Sequence, residues 1–126
     1  MNMEKKEEDT IVGILAYLTI IGFLIGLILN NDKAGEQKKF GAFHLRQALG
    51  LHLGSFILYI AFAFVSALFF AIGSLFGFIA NLLFAVIVLV ILAFMIIGLM
   101  GAIEGKTKPL PLIGDYINKT LKNTFE

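Results

Sequence analysis

The chain contains no cysteine, and between positions 53 and 103 it contains no Asp, Glu, Lys, Arg or His. Without cysteine there are no disulfides, thiolate nucleophiles or cysteine metal sites. The uncharged run excludes more. As one helix its residues would reach about 76 Å against a hydrocarbon core of about 30 Å, so the run folds back on itself as two membrane spans. The fold-back is expected in Gly73-Ser74-Leu75-Phe76-Gly77, where two glycines and a serine relax the helix. A proton-coupled or cation transporter is expected to hold an ionisable residue in mid-membrane, and this stretch offers none. Only two prolines are present, and Pro109 and Pro111 both stop the helix beyond that run.

What the sequence does hold is apolar. Of its 126 residues, 59% are hydrophobic and 15% charged, with a mean hydropathy of +0.92, whereas charged residues approach a quarter of a soluble domain. The net charge of +1 is too small and scattered to suggest nucleic acid as a partner. Residues 1–10 form an acidic tail without the basic start of a signal peptide. Residues 11–29 are a further uncharged run of about 28 Å as a helix, read as the first span. The fold class expected is therefore all-α: three transmembrane helices within 11–104, the second and third forming a long hairpin.

A short amphipathic helix is expected in the tail, 105–126. There Ile113, Ile117, Leu121 and Phe125 recur four apart, which suits a helix lying on the membrane surface. The second helix is expected to start near Glu36 or Lys38 and to be amphipathic in its first turns, at the headgroups. Small residues mark close helix contacts at Gly22 and Gly26, at Gly50 and Gly54, and at Ala63, Ala67 and Ala71. The Gly22 and Gly26 pair is read as packing within the monomer rather than as a homodimer face. Lys5 and Lys6 precede the first span, whereas the first loop and C-terminal tail hold the other eight of ten Lys and Arg residues. That excess places loop and tail in the cytoplasm and the N-terminus outside a plasma membrane.

Chemistry is sparse. His44 and His52 stand about 12 Å apart along one helix, too far to share one metal. Ser55, three residues beyond His52, lacks the elbow and oriented acid of a serine hydrolase and is read as bonding to its own helix. No catalytic residue, metal or cofactor is expected. The candidate polar site is interfacial: His44, Arg46 and Gln47 on one side, Glu104, Lys106 and Lys108 on the other. In a hairpin centred on Leu75, Arg46 comes level with Glu104, and the two are expected to pair directly or through His44 or Gln47.

The stretches carrying these residues, FGAFHLRQAL at 40–49 and GAIEGKTKPLPLIG at 101–114, resemble a family of small bacterial multispanning proteins. That family is similar to the small multispanning subunit of the chloroplast inner-envelope protein-import translocon (the Tic20-like proteins). The resemblance implies a non-enzymatic membrane module acting in assembly or translocation, with no catalytic residues. The alternative is a small holin-like pore former. Expected partners are the lipid bilayer with its anionic headgroups, a second copy of the chain or another membrane protein.

Overall fold

The computed structural model describes residues 3–126, with side chains placed from Asp9 onward. The described residues form five α-helices: α1 Met3–Leu18, α2 Ile20–Asn31, α3 Gly35–Ile72, α4 Ser74–Ile103 and α5 Gly114–Leu121. Helices α3 and α4 make the expected antiparallel hairpin, turning at Gly73 alone, whose backbone is extended. Gly77 belongs to α4, where the missing side chain makes room for the Phe70 ring. Across the hairpin Asn81 donates to Ser66 Oγ at 3.3 Å and to Gly77 O at 2.9 Å, so this amide is a packing residue.

Two helices are long and apolar enough to cross a membrane, and only 6% and 11% of their most apolar stretches are buried within the chain. A soluble core helix would be mostly buried. The accessible surface, 8049 Å², also exceeds the roughly 6600 Å² of a soluble monomer of this mass. Lipid is the solvent that suits such a surface.

The apolar run at 11–29 is not one span. It breaks at Thr19, which is extended and caps α2 by accepting from Gly22 N at 2.9 Å. Helix α2 then runs back along α1. A Cβ on Gly22 would lie 2.5 Å from Leu15 O, and one on Gly26 3.1 Å from Val12 O. The two glycines thus pack within the monomer, against the other arm of a short helical pair. Twelve residues of α2 reach about 18 Å, too short to cross the hydrocarbon core. Both ends of the pair meet where Lys33 Nζ lies 2.8 Å from Asp9 Oδ1. Where a single span is expected over 11–29, the chain folds back at Thr19 and α2 returns toward the end where α1 begins.

The core lies at that charged end. Residues 41–48 of α3 are buried at every position, enclosed by α1, α2, α4 and the tail rather than resting amphipathically on headgroups. Close contacts set the helix positions. A Cβ on Gly13 would lie 2.5 Å from Ala102 Cβ, and one on Gly98 2.4 Å from Tyr17 Cε1. Ala63, Ala67 and Ala71, expected in a close contact, are instead exposed along α3. The hairpin packs through neighbouring positions such as Phe62, whose ring centroid lies 5.3 Å from that of Phe84.

Two outcomes test this arrangement. Gly98→Ala should displace Tyr17 and lower stability in detergent by about 1–3 kcal/mol, whereas Ala67→Leu should stay within about 0.5 kcal/mol; equal thermal shifts would contradict the packing. Single cysteines at Met3 and Asp32 should react with an impermeant thiol reagent from the same side of the membrane. Labelling from opposite sides would restore the single-span reading.

Candidate functional site

The two sequence motifs meet around α3, though not through the atoms expected. Helix α4 ends in a glycine-terminated turn: Gly105 adopts φ 72°, Lys106 N bonds to Gly101 O at 2.9 Å, and Gly105 N bonds to Ala102 O at 3.1 Å. This is the double hydrogen bond of a Schellman cap, which glycine suits because it carries no Cβ. The cap presents the Lys106 carbonyl to His44 Nε2 at 2.8 Å. A carbonyl only accepts, so Nε2 carries the proton and Nδ1 accepts from the Tyr17 hydroxyl at 2.9 Å. Phe40 at 4.8 Å, Phe43 at 5.1 Å and Tyr17 at 5.7 Å between ring centroids stand edge-on around the imidazole. His44 is thereby a fully buried tie between three segments.

Gln47 holds the following loop. Its Oε1 accepts from Leu110 N at 3.0 Å, and its Nε2 donates to Gly114 O at 2.8 Å. One buried amide so satisfies both ends of a turn that two prolines deprive of N–H donors. The turn directs Leu110 into the core and leaves Leu112, at φ 67°, 95% exposed. Helix α5 follows, and its apolar stripe docks on α3. Ile117 sits where Gly50 has no side chain, and Phe125 meets Phe23 at 5.9 Å. The stripe expected to lie on lipid is thus spent on the protein, while Gly54, one turn beyond Gly50, has nothing within 4 Å of where its Cβ would be.

Arg46 and Glu104 do not pair. Arg46 donates to Thr124 O and to Glu126 Oε1, each at 3.2 Å, and reaches Asn118 Oδ1 at 3.5 Å. Glu104 instead lies 3.2 Å from Lys106 Nζ, on the exposed surface. The reason is register. The hairpin turns at Gly73 rather than Leu75, which slides the helices by about one turn and sets Gly101 beside the His44 ring. Arg46 also points toward α5 and the tail. Lys108 is exposed beyond the cap. The candidate cluster therefore divides: His44, Arg46 and Gln47 clamp the tail, while Glu104, Lys106 and Lys108 lie outside.

A cleft of about 460 Å³ opens beside the clamp, lined in part by Glu36, Lys39, Phe40, Phe43 and Arg46. Among the described residues no group of three or more His, Cys, Asp or Glu side chains is placed to hold a metal ion. His52 Nε2 donates to Ala16 O at 2.9 Å, and Ser55 donates to Leu51 O in its own helix at 2.6 Å. Sequence reasoning missed Tyr17, Gly98 and Glu126 as partners in this region. Glycines at Gly13 and Gly98 are the signal that could have revealed where α1 crosses α4.

Fold and site together define an integral membrane protein: a lipid-exposed helical hairpin whose charged end is closed by its own C-terminal segment. The profile of the MamF/MmsF family, described as a magnetosome magnetite crystal formation protein family, matches residues 8–117, and the chain belongs to that family. No curated protein and no solved structure matches it. The match covers both stretches that resemble the import-translocon relatives, and the import assignment is withdrawn with the translocation role it implied.

The clamp makes a direct prediction. Gln47→Glu keeps an acceptor for Leu110 N but loses the donor to Gly114 O and buries a charge, which should cost about 2–4 kcal/mol. Limited trypsin digestion should then cut after Lys119 and Lys122 faster than in the parent. An unchanged rate would mean that Gln47 does not hold the tail.

Proposed function

We propose that this chain is a non-enzymatic membrane module that assembles laterally in the bilayer and contributes to magnetite crystal formation as a membrane component rather than as a catalyst. The observation that carries this reading is the outward stripe of Ala63, Ala67 and Ala71 on α3, a spacing that lets a second helix approach closely. Its non-enzymatic character is supported by where the polar groups are spent. His44, Gln47 and His52 bond to backbone carbonyls. The hairpin amide, Asn81, bonds to Ser66 and Gly77, which argues against a holin-like pore needing a wettable face. Family membership supports a place at the magnetosome. The charged end, which gathers the lysines and arginines, faces the cytoplasm in this reading, because cytoplasmic segments carry the excess of these residues.

A native background without cysteine makes the test simple. Oxidation of membranes carrying Ala67→Cys should give a disulfide-linked dimer, and Leu89→Cys, outward on α4, should give little. Equal cross-linking at the two positions, or none at Ala67, would refute lateral assembly through α3.

A further inference from the structure

On the outer face of α4 the apolar surface ends abruptly. Ile97, Met100 and Ile103 are exposed, and Glu104, Lys106 and Lys108 follow within five residues. Exposed apolar side chains below and charges above mark the edge of the hydrocarbon region. A groove of about 190 Å³ straddles that edge, with Ile97, Met100 and Gly101 on its apolar part and Glu104, Lys106 and Lys108 at its mouth. Gly101 keeps it open. A Cβ there would make only ordinary contacts, 3.8 Å from His44 and 4.0 Å from Lys106 O.

We propose that this groove binds one anionic glycerophospholipid, with its phosphate between Lys106 and Lys108 and an acyl chain along Ile97 and Met100. A lipid is the occupant because the apolar wall belongs to a bilayer-facing helix. Its anionic character follows from charge complementarity. Among the described residues Lys108 has no ion-pair partner, and the partner of Lys106 is Glu104, at 3.2 Å with both side chains about half or more exposed. That pair is weak in water. Glu104 therefore occupies the place of a phosphate oxygen and competes with the lipid for Lys106. The groove lies on the outside of α4, and its occupancy does not depend on the assembly proposed above.

The competition gives substitutions of opposite sign. The full chain in mild detergent is mixed with equal phosphatidylglycerol and phosphatidylcholine, and bound lipid per monomer is read by native mass spectrometry. The parent should retain phosphatidylglycerol in preference. Lys108→Gln should lower that retention about fivefold, the order expected for one lysine near an anionic surface, and Glu104→Gln should raise it. Gly101→Leu should abolish it without removing a charge. Millimolar inorganic phosphate should displace little, because it lacks the acyl chain. Equal retention of the two lipids, a loss rather than a gain in Glu104→Gln, or full retention in Gly101→Leu would each overturn the proposal. Displacement by free phosphate would show an ion site instead of a lipid site.

Discussion

Burying one helix on all sides, over residues 41–48 of α3, is the constraint that the charged end of this protein is built to meet. A helix in that position presents every side chain to protein, so its small residues decide how near the neighbours come and its polar residues must all find partners. Gly41 lets α2 approach so closely that a Cβ would lie 1.9 Å from Asn30 Oδ1. His44, Arg46 and Gln47 then draw in the cap of α4, the 109–114 turn and the last residues of the tail. Those polar ties act beside the apolar contacts of Leu110, Ile117 and Phe125 in holding the tail. Among the described residues Asn30 Oδ1 is the buried side-chain atom left without a hydrogen bond.

The broken first helix obeys a related rule. In hydrocarbon an unpaired carbonyl costs several kcal/mol, so a chain reverses there only where something supplies the lost hydrogen bonds. At the end of α1 the Ala16 carbonyl is left over, and His52 donates to it at 2.9 Å. At the start of α2 the Gly22 N–H is left over, and Thr19 accepts from it. Phe23 packs edge-on against the same histidine at 6.3 Å. A residue that sequence reasoning weighs as a metal ligand or a hydrolase base is thus explained as a helix cap, placed at the edge of the apolar run of α3.

How much was legible follows from which signals are local. The hairpin could be read because an uncharged run of that length has one solution in a bilayer. The turn was displaced because Gly73 and Gly77 look alike in sequence, although one breaks the helix and the other accommodates Phe70. That small slip removed the expected Arg46 and Glu104 pair, since register errors carry through the full length of both helices. The break at Thr19 was not legible at all. Apolar residues flank it on both sides, and the groups that make it affordable, above all His52, lie far away in sequence. The alanine stripe failed for a different reason: small residues at four-residue spacing mark a surface that can be approached, without saying by what.

The fold-back at Thr19 also changes what the bilayer has to admit. Were 11–29 a single span, the acidic and basic groups of the first ten residues would have to cross the hydrocarbon to reach the far side. With α1 and α2 returning to one end, Asp9 and Lys33 meet there, Arg46 meets Glu126 there, and the tip between α3 and α4 carries only Gly73 and Ser74. Between 53 and 103 no charged side chain enters the apolar zone. A helical pair whose leading end is uncharged inserts without moving a charge through lipid, a step that is costly even for one arginine or lysine. The same distribution that leaves the hairpin poor in chemistry eases its insertion, and it gathers the ion pairs at the end opposite the tip.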